Sequence, residues 1–213
     1  MDDDLEKLQA IATDLVFLPE TAIIYPGGEQ QIAFVEVPSL SRIIEGESRP
    51  GFFKGVATVV LKLFNMVQPD YAVFGEKDFQ QLLVIRQLVK DLHLPVEIIA
   101  GPIKRETDGL AMSSRNNYLT TSDRDKSRLL SATLNDMRSA IAQGVAIVVA
   151  EKCCVKTLTN SGFIVDYVTL RETSGLAAVS KQDLAANREL IILAAVKVGK
   201  TRLIDNLIFL PGG

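Results

Sequence analysis

The stretch from Tyr71 to Ala100 constrains this chain more than any other. Tyr71-Ala-Val-Phe74 is a short apolar run of the kind that forms a buried parallel strand. Phe79 to Leu92 follows, with Leu82, Leu83, Ile85, Leu88, Val89 and Leu92 at helical spacing, and Val96-Glu-Ile-Ile-Ala100 reads as the next strand. Lys54 to Met66 has the same helical period, with Val56, Val59, Val60, Leu63 and Phe64 on one broad apolar face. Helix, strand, helix, strand at this interval predicts a parallel α/β sheet. Upstream, Asp14-Leu-Val-Phe-Leu-Pro19 reads as a short buried strand ended by proline, and Ala33-Phe-Val-Glu-Val37 as another.

The order changes after Pro102 to Gly109. Ser122 to Gln143 reads as a helix carrying Leu129, Leu130, Leu134, Met137 and Ile141, stopped at Gly144. A second helical stretch runs through Glu151 to Leu158, and Phe163 to Leu170 and Leu190 to Val198 alternate like strands of a small sheet. Two domains are therefore expected: a Rossmann-like α/β domain over residues 1–103 and a smaller α+β lobe over residues 104–213, hinged near Pro102 to Gly109. No internal repeat or low-complexity segment interrupts them.

Gly75 to Asp78 falls at a strand-to-helix turn. There the first backbone N–H groups of the helix lack internal partners and the helix dipole is positive, which favours an anion. Lys77 adds a mobile positive charge, Asp78 can cap the helix or accept from a ribose hydroxyl, and Gln81 lies one turn beyond Lys77 on the same face. An ordinary Asp cap with a solvated Lys and Gln fits this stretch equally well. A second stretch, Asp108-Gly-Leu-Ala-Met-Ser-Ser-Arg-Asn-Asn117, offers adjacent hydroxyls, backbone donors and an arginine fork suited to phosphate oxygens. Ser, Asn and Gly also collect in surface loops, so this loop alone decides nothing.

Composition narrows the class. Over 213 residues the net charge is −3, with no basic run, which argues against nucleic acid as the main partner. The candidate cations near the motifs are Arg49, Lys77, Lys104 and Arg115. An apolar fraction of 47% is enough for proper cores, yet no apolar run reaches bilayer length. The first residues lack the positive-then-apolar pattern of a signal peptide, so a cytoplasmic protein with no membrane partner is expected. Cys153 and Cys154 are adjacent and read as reduced and structural, and the only histidine, His93, reads as a helix-end or surface residue.

Taken together and in this order, Gly75-Glu-Lys-Asp-Phe-Gln-Gln81 and Met112-Ser-Ser-Arg-Asn116 resemble the pantothenate synthetase family, nucleotidyltransferase-like ligases that join pantoate to β-alanine with ATP. The resemblance takes in Glu45-Gly-Glu-Ser-Arg-Pro-Gly-Phe-Phe-Lys-Gly-Val56, Lys62 to Asp70, Gly101-Pro-Ile-Lys-Arg105 and Thr201-Arg-Leu-Ile-Asp-Asn206. It implies that Gly75 and Asp78 face the ribose side of ATP, that Glu76 also belongs to the ATP site, and that Lys77, Ser113, Ser114 and Arg115 hold the phosphates and carry catalysis. It further implies that Gln81 holds pantoate, that the Lys104 backbone meets the adenine, and that Met112 lines the nucleotide pocket. Arg49 is a weaker substrate candidate, Mg2+ is the expected ion with Asp3 and Asp4 as its candidate ligands, and a homodimer through the N-terminal domain is expected. Members of the family open with a His-x-Gly-His element and an Asn-Pro-x-Gln-Phe turn, neither of which occurs among these 213 residues. An incomplete nucleotide-binding sheet is therefore expected, with open edges and exposed apolar surface at the Ala72 and Val16 segments and impaired activity. Another adenylate-forming nucleotidyltransferase and a non-catalytic remnant or partner subunit are the alternatives.

Overall fold

The computed structural model describes residues 2–28 and 32–212, apart from the side chains of Asp3 and Lys181. They fall into two compact units, Met1–Phe34 and Val35–Gly213. The first unit holds helix α1 (Asp2–Ala10) and the single turn α2 (Thr21–Ile24). The strand expected at Asp14 to Pro19 is not there: Leu15, Val16, Phe17 and Leu18 form irregular, exposed backbone. A short extended run becomes a strand only where a neighbour satisfies its backbone groups, and no described strand pairs with this one.

The second unit begins with two short turns, α3 (Pro38–Ser41) and α4 (Glu45–Ser48), followed by helix α5 (Phe52–Val67). The strand expected at Ala33 to Val37 is also absent. Instead the Thr58 hydroxyl of α5 accepts from the Val35 N–H at 3.1 Å and lies 3.4 Å from its carbonyl, taking groups that a ladder would have used.

Strand β1 (Tyr71–Gly75) then leads through a 3-10 turn (Glu76–Asp78) into α6 (Phe79–Asp91), and β2 (Glu97–Gly101) returns parallel to β1, from Tyr71 opposite Glu97 to Gly75 opposite Gly101. The predicted strand-turn-helix-strand order holds. Burial of the first strand does not: Tyr71 is 63% and Val73 68% exposed, because β2 is the one strand paired with β1 among the described residues. Parallel strands are buried only when both faces are covered. Here Phe74 meets Phe64 of α5 edge to face, while the Tyr71 and Val73 face lies open. His93 follows α6 as an exposed residue in the left-handed region, with φ 51°, in keeping with a helix end.

Beyond the 102–109 connection come α7 (Thr121–Ala142), capped by Thr120 Oγ1 accepting from the Asp123 N–H, α8 (Ile147–Asn160), β3 (Ile164–Glu172), the short α9 (Lys181–Ala185), β4 (Leu190–Val198) and β5 (Thr201–Phe209). The three strands form an antiparallel sheet in the order β3-β4-β5. Its central strand is an almost continuous apolar run because both of its faces are buried. On one face Ile192, Ala194 and Val196 pack with Leu130, Leu134 and Met137 of α7 and Cys154 and Leu158 of α8. On the other, Ile191 and Leu193 pack with Phe53 and Ala57 of α5 and with Phe79, Val84 and Leu88 of α6. The antiparallel sheet thus forms the wall against which the Lys77 turn is set. Both cysteines are free, with Cys153 exposed and Cys154 buried, and burial pushes the Cys154 thiol up to about 12. No helix among the described residues is long and apolar enough to cross a membrane.

Candidate active site

The 3-10 turn between β1 and α6 puts Lys77 at the mouth of a cleft. Its ammonium donates to the Met112 carbonyl at 3.2 Å, so the lysine turn and the Ser-Ser-Arg flap, 35 residues apart in sequence, touch directly. Lys77, Asp78, Ser113, Ser114 and Arg115 line one cavity of about 200 Å³ with Arg202, Leu203 and Ile204 of β5. Burial lowers the Lys77 pKa, only partly offset by the nearby carboxylates of Asp78 and Asp205. Asp78 opens to solvent at this cleft, and the protein around it raises its carboxyl pKa against the pull of Lys77 and Arg115. Asp78 occupies the N-cap position of α6 but makes no capping hydrogen bond, which corrects the capping expectation and leaves its oxygens available to a ligand. A Cβ added at Gly75 would meet nothing within 4 Å, so the end of β1 is open to close approach.

The flap is shaped from within and braced from below. Ser113 Oγ accepts from the Arg115 N–H at 3.3 Å, at the head of a 3-10 turn (Ser114–Tyr118) that leaves Ser114 and Arg115 exposed. Asn116, 5% exposed, donates to Glu106 Oε1 and to the Ala111 carbonyl, and Arg124 of α7 pairs with both Glu106 and Asp108. The Lys104 side chain points to solvent, while its carbonyl accepts from the Met112 N–H at 2.8 Å. Lys104 therefore presents backbone beside Met112, whose side chain is 55% exposed.

A smaller cavity adjoins this cleft. Gln81, Lys77, Asp78 and Arg115 line it together with Glu45, Arg49, Phe52, Tyr167 and Arg202. Gln81 and Arg49 are thus brought to the predicted site. Arg49 stacks over the Phe52 ring at 3.7 Å and reaches Glu45 Oε1 at 3.4 Å. Glu45 is the hub of this wall. Its carboxylate takes both terminal nitrogens of Arg202 at 2.8 Å and the Tyr167 hydroxyl at 2.9 Å, and Arg202 Nε reaches Asp166 at 2.7 Å. Burial alone would raise the Glu45 pKa. The Arg202 contacts, with Tyr167 and Arg49, outweigh it and hold the carboxyl below its ordinary value. The neighbouring Gln80 side chain fastens the same segment, accepting from the Glu45 N–H and donating to the Leu40 and Ile43 carbonyls. Gly46 is obligatory there, because a Cβ would collide with the Ser41 carbonyl oxygen.

Sequence reasoning gave no role to Glu45, Tyr167, Arg202, Asp205 or Asn206. The available signal was an Asp-Asn pair between two apolar pairs, Leu203-Ile204 and Leu207-Ile208. Asp205 binds both terminal nitrogens of Arg105 at 2.8 and 2.9 Å, and Asn206 Nδ2 donates to the Glu76 and Lys77 carbonyls at 2.8 and 3.0 Å. Of the candidate metal ligands, Asp3 lies outside the described side chains and Asp4 belongs to the first unit. Among the described residues, no group of three or more His, Cys, Asp or Glu could hold a metal ion.

Comparison with known proteins points to one family. A family model described as pantoate-beta-alanine ligase matches residues 1–208. The pantothenate synthetase of Shewanella sediminis is 50% identical over 206 residues, spanning 97% of this chain and 72% of the relative. That of Shewanella oneidensis is 49% identical over 209 residues, spanning 98% and 73%. A crystal structure of Thermus thermophilus pantothenate synthetase superposes with a TM-score of 0.86 at 41% identity, covering 97% of this chain and 73% of that one. A Francisella tularensis pantoate-beta-alanine ligase, solved with β-γ ATP and β-alanine, gives 0.78 at 31% identity, covering 100% and 70%. This chain belongs to the pantoate-β-alanine ligase family.

Proposed function

We propose that the cleft serves ATP-dependent ligation of pantoate to β-alanine through a pantoyl adenylate. A pantoate carboxylate oxygen attacks the α-phosphorus and pyrophosphate leaves. The β-alanine nitrogen then attacks the acyl carbon, the bond to AMP breaks, and the amine proton passes to solvent. No covalent enzyme intermediate is needed, so the residues act by placing reactants and offsetting charge. Lys77, Ser113, Ser114 and Arg115 hold phosphates, Gly75, Glu76 and Asp78 face the ribose, and Gln81 with Arg49 meets pantoate in the adjoining cavity. Met112 and the Lys104 backbone take the base. The observation that carries this assignment is the 3.2 Å contact between Lys77 Nζ and the Met112 carbonyl, which puts both phosphate-binding elements at one cleft. Mg2+, if bound with ATP, would offset phosphate charge beside Lys77 and Arg115, and it would need few protein ligands because such ions keep several waters. A cytoplasmic homodimer is the proposed assembly, as the family resemblance implies.

A polypeptide of these 213 residues has no His-x-Gly-His element, and we expect it to bind ATP weakly and to ligate nothing detectable. A coupled assay for AMP release, with ATP, pantoate and β-alanine supplied to the purified chain, tests the second point, and an ATP titration with and without pantoate tests the first. Turnover at a rate normal for a ligase overturns the expected impairment. ATP binding indifferent to added pantoate favours another adenylate-forming enzyme.

A further inference from the structure

Strand β5 carries two polar residues where its position calls for apolar ones. Asp205 and Asn206 are each 2% exposed, between the apolar pairs Leu203-Ile204 and Leu207-Ile208. Successive side chains in a strand point to opposite faces, so the pair reaches out on both sides of the sheet at once. Asp205 lies on the face of Leu203 and Leu207, and Asn206 on that of Ile208. A buried carboxylate and a buried amide are costly unless fully partnered, and the partners here come from the candidate site.

On one side, Asn206 Nδ2 donates to the carbonyls of Glu76 and Lys77, fixing the turn that aims the lysine. On the other, Asp205 takes the Arg105 guanidinium, which also donates to the Gly109 carbonyl and to the Asn206 carbonyl at 3.4 Å. Arg105 and Ala111 pair across the base of the flap. Asp205 Oδ1 also accepts from the Asn206 N–H at 2.8 Å, so the two clasps share one strand position. Lys77 and Met112, which meet at 3.2 Å, are the points where the two held elements converge.

We infer that Asp205 and Asn206 are positioning residues that set the spacing between the Lys77 turn and the Ser113–Arg115 flap. This role rests on the proposal that ATP phosphates lie between those elements. The pair touches no phosphate itself. It works by holding backbone in register at the lysine and the flap, so its loss should weaken triphosphate binding more than nucleoside binding.

The test is the ratio of ATP to adenosine affinity, measured by titration calorimetry on the purified chain, Asn206→Leu, Lys77→Ala and the double variant, with circular dichroism confirming the fold. Asn206→Leu is expected to lower the ratio of ATP to adenosine affinity at least fivefold, and in the Lys77→Ala background to lower it less than threefold more, because its effect on the phosphates runs through the lysine. Should Asn206→Leu fail to fold, Asp205→Asn keeps the shape and is expected to lower the same ratio. An unchanged ratio in a folded variant, or losses that multiply with that of Lys77→Ala, overturns the positioning role alone. An unsubstituted chain that binds ATP no better than adenosine overturns the phosphate assignment as well.

Discussion

Replacing Lys77 by alanine is expected to weaken ATP binding by about 10- to 100-fold, on the order of 1.4–2.7 kcal/mol for a charge-assisted contact to phosphate. The lysine is already half-desolvated and held on the Met112 carbonyl, so little ordering remains to be done when a phosphate displaces that carbonyl. Titrations with ATP and with adenosine separate the effect: adenosine should bind both proteins alike. The same residue gives a pH signature. Burial holds the Lys77 pKa below its ordinary value of 10.5, so the ammonium is lost, and ATP affinity falls, as pH rises through a point below that value. Lys77→Ala should lack this alkaline limb. Equal ATP affinity for the two proteins at neutral pH would remove the lysine from the phosphate site.

The second large effect concerns stability. Arg202→Met removes the main partner of Glu45, whose side chain is only 10% exposed, and should cost about 3–5 kcal/mol, as stranded buried charges do. Asp166 loses its 2.7 Å contact with the same guanidinium, although Lys197 stands 3.8 Å away. Pairing Arg202→Met with Glu45→Gln should recover part of the loss, because the stranded charge goes with it. Urea unfolding midpoints of the two variants check this, and a cost under about 1 kcal/mol would mean the pair behaves like an exposed one. Acid adds a directional test. The Glu45 carboxyl titrates below its ordinary value of 4.5 in the folded chain, so its stabilising share is present above that value and lost as pH falls through the lowered one. The Arg202→Met chain should show a shallower acid decline.

Much of this was legible in the residues, and for identifiable reasons. The run from Tyr71 to Ala100 alternates periods so clearly that strand, turn, helix and strand fall where pattern places them. The span of β4, Leu190–Val198, is the one expected, but the expected alternation is not there, because both faces of this strand are buried and its run is apolar almost throughout. Asp14 to Pro19 and Ala33 to Val37 misled because apolar composition reports a preference for extended backbone and says nothing of whether a partner strand exists. The lysine turn and the flap were legible as short, local motifs. What braces them was not: Glu45 and Arg202 are 157 residues apart, and Arg105 and Asp205 are 100 apart. Such partnerships are set by the sheet order, which brings β5 beside the turn, and no local spacing encodes them.

A crystal structure of this chain with ATP bound is the most direct measurement. The triphosphate should lie in the cleft between Lys77 Nζ and the Ser113, Ser114 and Arg115 side chains, with the Lys77 contact to the Met112 carbonyl given up to a phosphate oxygen. A nucleotide that engages one of these elements without the other, or that occupies a different surface, would contradict a shared phosphate site.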